Sequence, residues 1–271
     1  MKQGKIVLIT GASTGLGRAT ALLLVEKGHT VFGTSRHPAA ADSHHFPLLE
    51  LDVRSDDSVA GCLKSVMDAA RRIDVLINNA GYELAGGLEE TSLTEAEAQF
   101  ATNFFGVARM TRAVLPIMRA QGFGRIITVG SLAGLIGVPF HGYYSASKHA
   151  LEGYTEALRH EVSAFNIKVS IVEPGFMKTN LAGAAHMAAA PITDYSFIRR
   201  QALHFFEKSL ASGEDPLHAA GIISAVIADE NPPLHYRVGR MSKWLPRLKH
   251  FLPQRVYEAG LNRTFGLDAR T

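Results

Sequence analysis

Short apolar runs alternate along the chain with longer segments in which apolar residues recur every three or four positions. The short runs predict seven buried strands, at 5–10, 30–35, 46–51, 74–77, 124–129, 167–172 and 234–238. The longer segments predict helices at 18–28, 55–72, 94–120, 143–165, 196–211 and 215–228. Such alternation, without repeats or linkers, is typical of a doubly wound parallel α/β sheet with helices on both faces.

The regular alternation stops beyond position 179. We predict one domain over 1–238, in which 181–212 covers the substrate, because 181–191 is rich in Ala and Gly and suits a lid. The remaining 239–271 mixes bulky apolar with basic side chains, which predicts an amphipathic helical extension packed on the same domain. Between 235 and 271, eight basic residues outnumber two acidic ones, a net charge of +6. Peripheral contact of this tail with a membrane fits that composition.

The overall composition narrows the class of protein. The 271 residues are 46% apolar and 20% charged, with a net charge of +3, as in an ordinary soluble enzyme. The single cysteine, Cys62, excludes an internal disulfide, and no ligand cluster for a metal is evident. No apolar run reaches the ~20 residues of a membrane-spanning helix, and no signal peptide is recognisable, so we expect a cytoplasmic protein. The aromatic residues of the tail lie at helical core spacing, which argues against nucleic acid as a partner.

A glycine-rich loop joins the first predicted strand to the first predicted helix. In it, Gly11 permits a tight turn, Gly15 lets a pyrophosphate approach the backbone, and Gly17 allows close packing of the helix. The helix start offers free N–H groups for phosphates. Although a flexible turn is the simpler interpretation, the strand–loop–helix context favours a Rossmann-type dinucleotide site. The loop residues assigned to it are Gly11, Ser13, Thr14, Gly15, Leu16 and Gly17.

The end of the second predicted strand bears on the choice of cofactor. Arg36 stands there, and no Asp or Glu occurs between His29 and Ala41. An acidic residue at this place binds the adenosine ribose hydroxyls of NAD, whereas an arginine suits the 2′-phosphate of NADP. Exposed arginines are common at strand ends, but the pattern favours NADP(H).

Tyr144 and Lys148 lie four residues apart in a predicted helix and therefore project from the same face. A phenol has an unperturbed pKa of about 10, and a neighbouring ammonium would lower that pKa toward neutrality. The pair is a plausible acid/base device, although an aromatic core residue beside a solvated lysine has the same spacing. Ser131 follows the fifth strand at the same end of the sheet, and Asn103 lies within a helix, where asparagine is locally unfavourable.

Taken together, these motifs resemble the short-chain dehydrogenase/reductase family. The resemblance spans 5–238 and rests on Thr10-Gly11-x-x-x-Gly15-x-Gly17, Asn78-Asn79-Ala80-Gly81, Asn103, Ser131, Tyr144-x-x-x-Lys148 and Pro174-Gly175-x-x-x-Thr179. The stretch 131–161 is most similar to members acting on steroids, retinoids and other hydrophobic carbonyls. The chain departs from many NADP-binding members in lacking a basic residue at Ser13 or Thr14.

The resemblance implies roles for individual residues. Tyr144 would exchange a proton with the substrate oxygen, Ser131 would orient that oxygen, Lys148 would hold the nicotinamide ribose, and Asn103 would anchor a water. The cofactor-binding set, beyond the glycine loop, is Arg36, Asp52, Val53, Asn79, Ala80, Gly81, Tyr144, Lys148, Pro174, Gly175, Met177 and Thr179. The substrate-binding set is Ser131, Leu132, His141, Tyr144 and Phe176.

The function predicted from these residues is hydride transfer between NADP(H) and a hydrophobic ketone, aldehyde or secondary alcohol. Side chains expected around the nicotinamide are mostly apolar, although His141 could either reach a second polar group of the substrate or face solvent. The main alternative is a non-catalytic NADP(H)-binding regulatory protein; cofactor-assisted epimerisation or dehydration is another. The resemblance also implies a homodimer or homotetramer through the helices that carry Asn103 and Tyr144.

Overall fold

Parallel strands form the central layer of the protein. In this computed structural model, which describes residues 4–38, 45–178 and 186–268, seven strands pair in the order β3-β2-β1-β4-β6-β7-β9. They are β1 (Ile6–Ile9), β2 (Thr30–Ser35), β3 (Leu48–Glu50), β4 (Val75–Asn78), β6 (Gly124–Val129), β7 (Ile167–Pro174) and β9 (His235–Val238). The predicted parallel sheet is confirmed. Thr179 and positions 181–185 of the predicted covering segment lie outside the described residues.

Helices cover both faces of this sheet, as predicted. They are α1 (Gly15–Glu26), α2 (Asp56–Ala70), α3 (Leu93–Phe100), α4 (Gly106–Gln121), α5 (Gly142–Glu161), α6 (Ser196–Ala211), α7 (Pro216–Ala228), α8 (Arg240–Phe251) and α9 (Gln254–Phe265). A π-helical turn, Ala101–Phe105, joins α3 to α4. The single helix predicted over 94–120 is therefore almost continuous, but it is interrupted at Asn103.

The alternation of side chains along each strand builds two separate cores. Val7 and Ile9 of β1 pack toward α1 and α7, whereas Leu8 packs toward α2 and α4. The central strands are mostly apolar and buried because helices cover both faces of the sheet. A one-residue slip in register would exchange the two sets of side chains, so the packing fixes the register.

The strand order determines where a ligand can bind. The chain runs outward from β1 through β2 to β3, then crosses back so that β4 pairs with the other side of β1. Connections at the carboxyl ends of β1 and β4 therefore leave in opposite directions, and a crevice opens between them. In open α/β sheets this switch point is the usual ligand site.

A second sheet of two strands holds residues from 186 onward, the described part of the covering segment 181–212, against the domain. β5 (Leu84–Ala85) pairs in parallel with β8 (His186–Met187). Beyond β8, the backbone N–H groups of Ala189 and Ile192 donate to the carboxylates of Glu95 and Glu90. Arg199 of α6 forms an ion pair with Glu90, whose side chain is 1% exposed. In the described residues, 186–199 is thus held by backbone pairing and by a buried ion pair.

The helical extension predicted at the end of the chain is present as α8 and α9. Its inner side, including Met241, Leu245, Leu261 and Phe265, packs on the apolar cluster beside Ser131. Its outer side exposes apolar side chains beside basic ones: Lys243, Trp244, Arg247, Leu248, Lys249, Phe251, Arg255 and Val256. Among the described residues, the helices are all too short or too polar to cross a membrane.

Candidate active site

Tyr144 and Lys148 lie on the buried face of α5, at the carboxyl ends of β6 and β7. The Lys148 ammonium donates to the carbonyl oxygen of Val129 at 2.8 Å, and Nζ lies 5.9 Å from the centroid of the Tyr144 ring. Burial lowers the pKa of Lys148 to about 8, although the negative charge of Glu152 opposes this shift. The two side chains are thus brought together as their spacing predicted.

The pKa of Tyr144 is raised above its ordinary value. Burial is the largest cause, the negative charge of Glu83 acts in the same direction, and hydrogen bonding to Ser131 opposes both. This corrects the sequence-based expectation that Lys148 lowers the tyrosine pKa, because in the structure desolvation outweighs any help from the ammonium. A tyrosine with a raised pKa stays protonated at neutral pH, which suits a proton donor.

Ser131 and Asn103 complete the group around Tyr144. The Ser131 Oγ accepts from the N–H of Ala133 at 3.1 Å, which orients the side chain at the end of β6. The Asn103 amide donates to the Tyr82 carbonyl at 2.9 Å and to Ser147 Oγ at 3.2 Å, and its oxygen accepts from the Tyr82 N–H at 3.0 Å. The Asn103 side chain is therefore held by protein groups on both its amide nitrogen and its oxygen.

The glycine loop is braced by the residues that follow β4. Thr10 Oγ1 accepts the N–H groups of Asn79 and Ala80, both at 2.9 Å. The Asn79 side chain in turn donates to the carbonyl oxygens of Thr10 and Gly11 at 2.9 and 2.8 Å. Asn79 therefore fixes the shape of the loop, so a direct contact with the cofactor is not required to explain its place.

The glycine loop fits the group that the motif implies. Gly11 has φ +67° and Gly15 has φ +55°, which are left-handed conformations that favour glycine. A Cβ on Gly17 would lie 2.2 Å from the Gly11 carbonyl oxygen and 2.5 Å from Asn79 Nδ2, so only glycine permits this approach of α1 to the loop. The start of α1, with N–H groups and the positive end of the helix dipole, faces the switch-point crevice and suits a pyrophosphate.

Charged residues surround the place where an adenosine ribose would lie. Arg36 is exposed after β2, and Asp52 follows β3. The Asp52 carboxylate pairs with Arg54 at 2.6 Å, and this hydrogen bonding is the main reason that its pKa falls to about 2; the charge of Arg36 adds to the effect. Val53 packs against Gly106, where a Cβ would come within 2.6 Å of Val53 Cγ2. Arg36 and Asp52 are therefore near neighbours at one end of the crevice.

The segment after β7 forms the opposite end of the crevice. The Gly175 N–H donates to the Val238 carbonyl at 3.0 Å, and the Lys178 N–H donates to the Glu214 carbonyl at 2.8 Å. Met177 between them is buried. Pro174, Gly175 and Met177 thus border the catalytic group along a fixed backbone.

Comparisons with known proteins agree with this geometry. The family model described as short chain dehydrogenase matches residues 5–189. The chain belongs to the short-chain dehydrogenase/reductase family. It is 39% identical over 262 residues to a 3-ketodihydrosphingosine reductase of Bacteroides thetaiotaomicron, covering 96% of this chain and 97% of the relative.

Solved structures of short-chain dehydrogenases share the fold across nearly the whole chain. One, from Streptomyces avermitilis, has a TM-score of 0.82 and 34% identity and covers 99% of this chain and 100% of that chain. Another, from Burkholderia phymatum in complex with NAD, has a TM-score of 0.79 and 27% identity, with 92% and 93% covered. These relationships support a nucleotide cofactor and an oxidoreductase activity for this short-chain dehydrogenase.

The His141 side chain points neither to the predicted substrate site nor to solvent. The ring is 1% exposed and stacks on Phe206 with centroids 4.3 Å apart. Its Nε2 lies 2.6 Å from Glu83 Oε1, and its Nδ1 lies 3.0 Å from the Pro139 carbonyl oxygen. The ring is therefore enclosed by protein groups, which corrects the expectation of a substrate contact or a solvent-facing ring.

The apolar residues predicted to contact substrate lie in one cluster. Leu132 is buried beside Ile136 and Val138, and Phe176 and Tyr144 pack partly exposed against the same group. Phe176 makes edge contacts with Phe206 and Phe205, at 5.1 and 6.1 Å between centroids. The partly exposed aromatic rings can meet a substrate directly, whereas Leu132 supports them from below.

Two residues near the site escaped the sequence interpretation: Glu83 and Glu90. Glu83 and Glu90 are buried carboxylates in the short stretch after Gly81, and Glu83 acts on the pKa of Tyr144. Glu90 forms its ion pair with Arg199 of α6. The available signal was weak: three acidic residues, Glu83, Glu89 and Glu90, in the otherwise uncharged stretch 81–92.

A further group of ionisable side chains lies behind Lys148. Ligand atoms of Glu152, Glu173 and His235 all lie within 4.8 Å of one another, a spacing that could hold a metal ion. Lys148 and Arg237 both act electrostatically on the carboxyl groups and lower the pKa of Glu152 against the larger effect of burial. Because cations of the protein already face these carboxylates, we interpret the group as an ionic network rather than as a metal centre.

Proposed function

We propose that the protein interconverts a bulky hydrophobic ketone or aldehyde and the corresponding alcohol with NADP(H). The observation that carries this proposal is the meeting of Ser131, Tyr144 and Lys148 at the carboxyl edge of the sheet, beside an apolar cluster. A non-catalytic regulator would not require these three side chains together. The 39% identity to a 3-ketodihydrosphingosine reductase, named for a ketone, supports the same choice.

In the proposed reduction, the Ser131 hydroxyl donates to the carbonyl oxygen and holds it beside Tyr144. The bound nicotinamide dinucleotide supplies the hydride. Tyr144, which is protonated at neutral pH as an ordinary tyrosine is, gives its proton to the oxygen as negative charge develops there. Lys148, held by the Val129 carbonyl, provides positive charge near the tyrosinate that remains. Oxidation of an alcohol reverses these proton transfers.

The substrate class is inferred from the surface beside Tyr144. Phe140, Phe176, Phe205 and Phe206 pack there partly buried, and the inner sides of α8 and α9 extend the apolar surface. Three cations near this surface could clamp an anionic substrate, Lys178, Arg199 and Arg200; of these, Arg199 is paired with Glu90, and Lys178 and Arg200 are exposed. A long aliphatic or polycyclic carbonyl therefore fits this surface better than a sugar or a hydroxy acid.

A series of ketones of increasing chain length tests this substrate class. Each added CH₂ that becomes buried contributes about 0.8 kcal/mol, or roughly fourfold in kcat/KM, until the cluster is filled. We expect kcat/KM with NADPH to rise along the series. A flat or falling series, together with rapid turnover of a small sugar or hydroxy acid, would show that the substrate class is wrong.

NADPH should bind more tightly than NADH. A charge-assisted contact from Arg36 to the 2′-phosphate is worth about 1.5–3 kcal/mol, or roughly ten- to a hundredfold in affinity. Arg36→Asp should remove this preference, because it replaces the attraction with repulsion beside Asp52. Arg71→Asp is the matched control, since it makes the same change of charge at an exposed position after α2. Equal affinities of the parent protein for NADPH and NADH by fluorescence titration would contradict the assignment.

The assembly and location of the protein are further proposals. A shallow groove between α4 and α5, lined by Leu115, Pro116, Tyr154 and Ala157, supports the predicted homodimer or homotetramer. The outer side of α8 and α9 carries exposed Trp244 and Phe251 beside basic residues, which supports peripheral contact with an anionic membrane. A cytoplasmic location stays a prediction.

A further inference from the structure

A continuous set of ionisable side chains leads from Lys148 to the protein surface. Glu152 follows Lys148 by one helical turn and projects from the same face of α5. Glu173 lies on β7 with its side chain fully buried, and His235 and Arg237 lie on the neighbouring strand β9. The His235 side chain is 43% exposed, so this strand brings the set to solvent.

Short distances join the members of this set. His235 Nδ1 lies 3.0 Å from Glu173 Oε1 and 3.6 Å from Glu152 Oε2. Arg237 Nε lies 4.0 Å from Glu173 Oε2. The inner end is close to the backbone that holds Lys148, because a Cβ on Gly130 would lie 3.2 Å from Glu152 Oε1, and Gly130 follows Val129.

Several carboxyl oxygens of this set have unfilled acceptor positions. A purely structural network would be expected to fill them. Both carboxyl oxygens of Glu152 and Oε2 of Glu173 are buried and accept no hydrogen bond from a fixed donor of the described residues, so a hydrogen bond between the two carboxyl groups requires a proton on one of them. Buried polar groups with a structural role are nearly always paired, and exceptions call for an explanation. Carboxyl oxygens that keep free acceptor positions can take up and release protons without breaking an existing bond.

The proton affinities of the inner members are matched. Burial and the charge of Glu173 raise the pKa of Glu152 to about 8, and burial lowers the pKa of Lys148 to about 8. The two side chains interact electrostatically, and these opposite shifts bring their proton affinities together, so a proton carried between them by a bridging water costs little free energy. Besides Lys148, the ionisable groups that act on Glu152 come from β7 and β9: Glu173, His235 and Arg237.

We propose that Glu152, Glu173 and His235 form a proton path that connects Lys148 with solvent. The proposal rests on the proposed function. In reduction, Tyr144 gives its proton to the new alcohol oxygen, and Lys148 returns one to Tyr144 through a bridging hydroxyl group or water. Glu152 then reprotonates Lys148 through a bridging water, and Glu173 and His235 pass a proton inward from bulk water. One proton enters at His235 for each proton that leaves Tyr144, and oxidation reverses the flow.

The test is chemical rescue of a His235→Ala variant, with a long-chain aliphatic ketone and NADPH as substrates. We expect kcat to fall by about tenfold or more in a buffer that cannot replace the imidazole, and added imidazole to restore it. His218→Ala is the matched control, because His218 is also exposed and lies 2.6 Å from a carboxylate, that of Glu214. The control should keep the parent kcat and should not respond to imidazole.

A second variant, Glu152→Gln, gives a readout that needs neither cofactor nor substrate. The parent protein at pH 7 should show the infrared carbonyl band of a protonated carboxyl group that disappears near pH 8 and is missing from the variant. The path is overturned if His235→Ala keeps the parent kcat, if its loss is not restored by imidazole, or if the infrared band is unchanged in Glu152→Gln. A parent protein that reduces no ketone or aldehyde would overturn the proposed function together with the path.

Discussion

Tyr144→Phe should lower kcat by about 10²–10⁴-fold while the affinity for NADPH stays close to that of the parent protein. The substitution removes the hydroxyl that hydrogen bonds to Ser131 but keeps the ring that packs in the apolar cluster. Loss of the proton donor therefore affects the chemical step rather than binding. Single-turnover kinetics with NADPH, together with fluorescence titration of NADPH, would separate the two effects.

Tyr143→Phe is the matched control for this substitution. Tyr143 precedes Tyr144 on the first turn of α5 and is also partly buried. We expect this variant to keep most of the parent activity. A Tyr144→Phe variant as active as Tyr143→Phe would show that Tyr144 is not the proton donor.

Arg199→Met should destabilise the protein by about 3 kcal/mol, because it leaves the buried Glu90 carboxylate without its cationic partner. The Glu90 carboxylate would still accept hydrogen bonds from the N–H groups of Gly87 and Ile192, at 2.7 and 2.8 Å. The expected loss of stability therefore lies at the lower end of the range for breaking a buried ion pair. Urea unfolding at pH 7 measures the change in the free energy of unfolding.

Lys64→Met provides the comparison for a surface ion pair. Lys64 and Asp68 pair at 2.6 Å, but their side chains are 77% and 66% exposed. Removing this pair should change the free energy of unfolding by less than about 0.5 kcal/mol. Similar small losses in both variants would mean that Glu90 and Arg199 do not hold the covering segment in solution.

The parallel sheet could be predicted from the sequence because each strand is marked by a local run of apolar residues. Strands such as Ile6–Ile9 are apolar throughout, and the glycine loop identifies the turn that follows β1. The π-helical turn at Asn103 was not predicted, since its register depends on the side-chain contacts with Tyr82 and Ser147.

Other features of the site depend on contacts between residues that are distant in the sequence. β5 and β8 have two residues each, too few to give a periodic pattern, and their pairing joins segments about one hundred residues apart. The enclosed position of the His141 ring follows from its contacts with Glu83 and Pro139, and the raised pKa of Tyr144 follows from burial. Motifs can locate such residues, but folding determines which partners surround them and therefore their protonation.

Hydride transfer itself can be followed with NADPH that carries deuterium on the transferred face of the nicotinamide. After incubation with a long-chain aliphatic ketone, mass spectrometry of the alcohol should show one deuterium at the carbinol carbon for each NADPH oxidised by the parent protein. Tyr144→Phe should form little of this product. A parent protein that binds NADPH but leaves no deuterium in the alcohol of any ketone or aldehyde offered would contradict the account and would favour a non-catalytic NADP(H)-binding protein.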